Sequence, residues 1–136
     1  MDWKHDLYRK VAPFVSDDAI FASNTSGLPI AKLSEAMDVG LKARFCGVHF
    51  FNPPRYMHLV ELIPTPATRP QILDDLETFL TSTLGKGVVR AKDTPNFIAN
   101  RVGVFGMVRD KVQRQAARSL TEFAQFVALT SREGKP

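Results

Sequence analysis

Residues 47–63, "GVHFFNPPRYMHLVELI", decide how the rest of the chain is read. Two apolar runs, "RFCGVHFF" (44–51) and "HLVELI" (58–63), flank the break "NPPR". Each run is too short for a helix and long enough for a buried strand. Two successive prolines cannot continue a hydrogen-bonded ladder, so the first strand ends there. The segment therefore reads as a hairpin-like pair of strands. Two ionisable side chains interrupt it: His49 at the end of the first run, and Glu61, twelve residues on, inside the second. Burying such groups is costly unless they are paired. A structural histidine, and a glutamate turned outward from an alternating strand, are the plain alternatives.

Working outward, "AIFAS" (19–23) is a third short strand, followed by the turn residues "NTSG". "LPIAKLSEAM" (28–37) predicts a helix with Pro29 in its first turn. The N-terminal "DWKHDLYRKVAPF" predicts a helix with Leu7, Val11 and Phe14 on one face, stopped by Pro13. "QILDDLETFLTSTLG" places Ile72, Leu73, Leu76, Phe79, Leu80 and Leu84 on one stripe, ended by Gly85. "GVVRAK" (87–92) is a fourth strand and "DTPNF" (93–97) a loop. A long helical stretch follows, with Gly103 and Gly106 expected to weaken its first turns. The order α-β-α-β-β-α-β-α predicts an α/β sheet covered by helices, made mixed by the hairpin.

The 136 residues are enough for one domain and leave little room for two. No run of apolar residues is long enough to span a membrane, and the charged N-terminus lacks a signal-peptide core. Cys46 is the lone cysteine, so a reducing cytoplasm is the expected location. The formal charge is +4, and residues 108–136 hold six Lys/Arg against three Asp/Glu, so +3 of it lies in that segment. This excess suits an anionic ligand, or simply a solvated helix face. Without interleaved aromatics or a recognised motif, nucleic acid is not an expected partner. No His/Cys/Asp cluster has metal-ligand spacing, so no metal is expected.

In a doubly wound sheet, ligands bind beyond the carboxyl ends of the strands. Ser23-Asn24-Thr25-Ser26, His49 with Asn52, and Asn100 all fall at such ends. Histidine titrates near neutrality and can take a proton. A carboxylate on its other ring nitrogen fixes the tautomer, and hydroxyl and amide groups can hold a developing oxyanion. Singly these residues are ambiguous: Asn24 and Ser26 suit a turn or helix cap, and Asn100 suits a helix cap. A Ser26–His49–Glu61 hydrolase is a further alternative, disfavoured because no G-x-S-x-G surrounds Ser26.

Four motifs, "FASNTSGLPIAKL", "GVHFFNPP", "HLVELIPTPAT" and "AKDTPNFIANRV", together resemble the 3-hydroxyacyl-CoA dehydrogenase family, in the second half of its NAD-binding domain. The resemblance covers roughly residues 2–107, in family order. It implies a Rossmann-like sheet, NAD as hydride acceptor, and an L-3-hydroxyacyl-CoA substrate in fatty-acid β-oxidation. It implies His49 as catalytic base and Glu61 as the carboxylate that orients it. Ser26 matches a hydroxyl that touches the substrate oxygen, and Asn100 an amide that places the substrate. Asn52 matches an asparagine near the nicotinamide, and Lys4 a cofactor-contacting lysine. His5 and His58 have no assigned role.

The departures from that family are specific. The eight glycines form no G-x-G-x-x-G, the loop that places pyrophosphate on a helix N-terminus. The acidic residue expected some way after it is also missing. After Met107 the sequence no longer resembles the family's all-α domain, yet Val108, Val112, Ala116, Leu120, Phe123 and Val127 keep helical spacing. The expected organisation is a truncated NAD-binding domain (1–107) and a divergent basic helical tail (108–136). Such a chain is expected to bind NAD poorly, to show little activity alone, and to self-associate through its exposed sheet or tail helix. The alternative is a non-enzymatic fold remnant acting as an assembly or binding module.

Overall fold

A computed structural model describes residues 1–130, with side chains for 1–105 and 107–115. The described chain runs α1 (Asp2–Val11), a 3₁₀ turn (Ala12–Phe14), β1 (Phe21–Ser23), α2 (Ile30–Ser34), α3 (Val39–Lys42), β2 (Phe45–Phe50), β3 (Leu59–Pro64), α4 (Pro70–Thr78), a π turn (Phe79–Thr83), β4 (Gly87–Arg90) and α5 (Ala99–Thr130). It divides into two compact units after Asn100. The first contains a four-stranded mixed sheet of order β1-β2-β3-β4. β1 runs parallel to β2 and β3 parallel to β4, while β2 and β3 pair antiparallel in the expected hairpin.

Both faces of the sheet are covered, which is why its central strands read as nearly unbroken apolar runs. Side chains alternate across a strand, so β2 and β3 each supply two separate cores. Phe45 and Ile63 join Tyr8, Ile30, Leu33, Leu41 and Phe97 on one face. Cys46, Val48, Val60 and Leu62 join Leu73 and Leu80 of α4 and its π turn on the other. His49 and Glu61 continue the first face beyond Phe45 and Ile63, at the end of the sheet.

Several helices depart from the sequence reading. Leu7 and Phe14 are exposed; Tyr8 is the residue α1 buries. Tyr8 packs edge-on against Phe21 and Phe45, with ring centroids 5.3 and 5.9 Å apart, and its hydroxyl donates to Ser23 Oγ at 2.8 Å. A tyrosine buries a ring while its hydroxyl still finds a partner, so it outcompetes the apolar stripe. "LPIAKLSEAM" is not one helix: α2 ends at Ser34, and α3 starts afresh at Asp38, whose carboxylate accepts from Leu41 N at 2.8 Å. On α4 the π turn widens the helix, leaving Phe79 and Leu84 exposed while Leu73 and Leu80 stay buried. α5 is continuous despite Gly103 and Gly106. Val108 and Val112 are exposed. Ala116, Leu120, Phe123 and Val127 lie outside the described side chains, and the charged end 131–136 lies outside the described residues.

Two predictions follow from this packing. A Cβ on Gly47 would lie 2.9 and 3.0 Å from Ile30 side-chain carbons and 3.1 Å from Ile63 Cβ. Gly47→Ala should therefore lower stability by about 1–3 kcal/mol, measured by urea unfolding. Cys46 is fully buried, and burial pushes its thiol up from 9.0 to about 12. Iodoacetamide at pH 8 should label it far more slowly in native protein than in urea. The thiol's contribution to stability is complete below pH 9.0 and is lost as pH rises towards 12, because the native state then holds the extra proton.

Candidate active site

The antiparallel register sets His49 directly opposite Glu61 on neighbouring strands. Directly opposed side chains share a sheet face and lie close enough to bond. His49 Nδ1 lies 2.8 Å from Glu61 Oε2. His49 is 3% exposed and Glu61 1%, so the reading that turned Glu61 outward is excluded. A carboxylate only accepts, so Nδ1 carries the proton and Nε2 presents a lone pair. Among the described residues no side-chain nitrogen or oxygen is both buried and without a partner. Nε2 makes no hydrogen bond within the described residues, so it is the part of the ring that meets solvent.

The second carboxylate oxygen is held by the backbone. Ile98 N and Ala99 N both donate to Glu61 Oε1 at 2.9 Å. They follow two residues in the left-handed region, Asn96 (φ 64°) and Phe97 (φ 50°). This reversal turns two successive N–H groups towards one oxygen. Asparagine tolerates that conformation; phenylalanine there is a strained choice. Phe97 is offset by burial and by packing against the imidazole, with ring centroids 5.5 Å apart. Phe51 packs on the same ring at 4.5 Å. The imidazole is therefore packed against two aromatic rings.

Ser26 and Asn100 meet nearby, with Asn100 Nδ2 donating to the Ser26 carbonyl at 2.9 Å. Because Asn100 directly follows the amides that bind Glu61, His49, Glu61, Asn100 and Ser26 form one connected chain of contacts. Asn24 Oδ1 accepts from Phe50 N at 2.9 Å, tying the end of β1 to the residue after His49. Ser26 bonds to Asn100 through its carbonyl, and no Ser26–His49 bond exists among the described residues, so the geometry gives the hydrolase alternative no support. Asn52 is exposed on the loop after β2, and Lys4 is half-buried on α1. Neither side chain hydrogen-bonds to the pair among the described residues. His5 Nε2 meets the Lys32 carbonyl at 2.8 Å and the His58 carbonyl accepts from Gly87 N, both structural contacts. No group of three metal-binding side chains occurs among the described residues.

Sequence reasoning missed three contributors. Phe51 and Phe97 pack on the His49 ring, and Asp93 accepts from Ile30 N and Ala31 N at 2.9 and 2.8 Å. Only Asp93 carried a signal, as a turn-forming residue that opens "DTPNF"; nothing in a pattern of types marks two aromatics as walls of an imidazole.

A helix-covered mixed sheet with a buried histidine–carboxylate pair at one end is a Rossmann-like α/β domain equipped for acid–base chemistry. The sequence model described as "3-hydroxyacyl-CoA dehydrogenase, NAD binding domain" matches residues 1–94, and the chain belongs to that family. It is 52% identical over 109 residues to a probable 3-hydroxyacyl-CoA dehydrogenase of Deinococcus radiodurans, covering 80% of this chain and 32% of that protein. It is 45% identical to a putative fatty acid oxidation complex trifunctional enzyme of Rickettsia felis, across 95% of this chain, the greater part of residues 108–136 included, and 17% of that protein. Among solved structures, (S)-3-hydroxybutyryl-CoA dehydrogenase of Ralstonia eutropha superposes with a TM-score of 0.68 at 36% identity, over 75% of this chain and 35% of that one. FadB2 of M. tuberculosis gives 0.77 at 33% identity, over 85% and 40%. The chain thus spans a third or less of the length of these two curated relatives.

Glu61→Ala leaves the Ile98 and Ala99 amides and His49 Nδ1–H without their acceptor. It should cost about 3–5 kcal/mol by chemical denaturation. Glu61→Gln keeps an acceptor for the amides and should cost less, but its NH₂ group faces Nδ1 and forces the proton onto Nε2. The ¹⁵N shifts of His49 should report that inverted tautomer.

Proposed function

We propose that this chain carries the proton-transfer site of a 3-hydroxyacyl-CoA dehydrogenase, with His49 as the base for the substrate hydroxyl. The observation that carries this reading is the buried 2.8 Å His49–Glu61 bond with Nε2 left open. His49 Nε2 takes the hydroxyl proton of an L-3-hydroxyacyl-CoA and, in reverse, returns it to the 3-keto oxygen. Glu61 holds the ring in the working tautomer and stabilises the imidazolium as it forms. Ser26 and Asn100, joined through the Ser26 carbonyl, are carried over as substrate contacts on the family pattern, as Asn52 and Lys4 are as cofactor contacts.

NAD, the family's cofactor, does not fit these residues alone. Pyrophosphate needs free amides at a helix N-terminus. Both helices that open at this end, α2 and α5, have amides at or next to their first residues bonded by carboxylates: Ile30 and Ala31 by Asp93, Ile98 and Ala99 by Glu61. The sequence has no G-x-G-x-x-G to supply others. This chain's own residues therefore supply the proton transfer only.

Acetoacetyl-CoA should bind and shift the His49 imidazole NMR signals; no shift at saturating ligand would sink the assignment. With NADH and acetoacetyl-CoA, the loss of NADH absorbance should be slow or nil. Robust turnover lost in His49→Gln would keep His49 as base and refute the incomplete dinucleotide site. For partners, the exposed Phe105, Met107 and Val112 of α5 support self-association; sedimentation giving a monomer at all concentrations would refute it. No helix of the described residues is long and apolar enough to cross a membrane. The lone buried Cys46 supports a reducing, cytoplasmic setting.

A further inference from the structure

We propose that Asp93 is a positioning residue for substrate, fixing the Ser26–Asn100 wall against the His49–Glu61 pair. The inference rests on the functional reading above. α2 opens at Pro29, which has no side-chain acceptor for its first amides. Asp93, more than sixty residues away, takes that role: Oδ1 accepts from Ile30 N at 2.9 Å and Oδ2 from Ala31 N at 2.8 Å. A carboxylate bridging two first-turn amides is a charge-assisted clamp, favoured further by the helix dipole.

The clamp joins the two segments that form the wall. Segment 26–31 carries Ser26 into α2. Segment 93–100 carries the amides for Glu61 and then Asn100. Beyond Asp93 the two stay in close approach, for a Cβ on Gly27 would lie 3.1 Å from Asn96 Oδ1. They meet again where Asn100 Nδ2 reaches the Ser26 carbonyl. Of these ties, only Asp93 makes two hydrogen bonds. It acts through the other residues, setting how far Ser26 and Asn100 stand from Nε2, and touches no reacting atom.

The test compares wild type, Asp93→Ala and Asp93→Asn for acetoacetyl-CoA affinity by calorimetry, with thermal midpoint and the downfield His49 Nδ1–H proton signal as controls. Asp93→Ala should bind roughly 10- to 100-fold more weakly, measured well below its midpoint, with the Nδ1–H signal unmoved. Asp93→Asn keeps one acceptor and should fall between, and it carries the test if the alanine variant does not fold. A merely structural role would lower the midpoint and leave the affinity of folded protein unchanged; that result in Asp93→Asn, or in a folded Asp93→Ala, overturns the inference. A wild type that binds no acetoacetyl-CoA refutes the functional reading itself.

Discussion

The site depends on one constraint, the antiparallel register that faces His49 with Glu61. A slip of one residue would move Glu61 to the opposite face of the sheet, into the cluster of Leu62 and Leu73, and bring an aliphatic side chain up to the imidazole. The register is pinned from both faces. Phe45 and Ile63 fit one apolar cluster, Val48 and Leu62 the other, and Gly47 leaves room for Ile30 to close over the strand. A parallel pair needs a long crossover, whereas an antiparallel pair closes through a short loop. The one antiparallel contact in this sheet therefore lets two residues only twelve apart become direct neighbours.

Once Glu61 is buried, its surroundings are largely determined. A desolvated carboxylate costs several kcal/mol unless its oxygens are filled. Oε2 takes the imidazole, and Oε1 takes two amides that can converge only if the chain reverses at Asn96 and Phe97. The reversal strains Phe97, and ring packing in a dry core compensates. It also leaves Asn100 one residue beyond the second amide, within reach of Ser26. For stability alone, an apolar pair of similar volume would serve as well as a buried polar pair.

The strands and their order along the chain were legible because each is a short apolar run bounded by turn residues. His49 and Glu61 stood out as polar intrusions, and the neighbouring motifs tied them to Ser26 and Asn100. Other features were hidden for physical reasons. α1 buries Tyr8 because a hydroxyl can find Ser23, a preference that no hydropathy period registers. The break between α2 and α3 depends on one cap at Asp38, within a segment whose apolar spacing continues. The left-handed pair at Asn96 and Phe97 has no glycine to announce it. Asp93 caps a helix more than sixty residues away, and pairing at that separation depends on the completed fold.

The same bonds that hold the His49–Glu61 pair also limit what else this end of the sheet can hold. A free helix N-terminus attracts phosphate through unpaired amides and the helix dipole. Here Asp93 and Glu61 already neutralise the two available, so an incoming phosphate would meet carboxylates. Filling a buried carboxylate and binding a dinucleotide thus place opposite demands on a helix N-terminus. Every contact that orients His49 lies within Met1–Asn100, and none needs a glycine-rich loop. The His49–Glu61 pair is therefore built independently of any pyrophosphate cradle: the pair is held across two strands by a carboxylate's own hydrogen bonds, whereas a cradle requires amides left open.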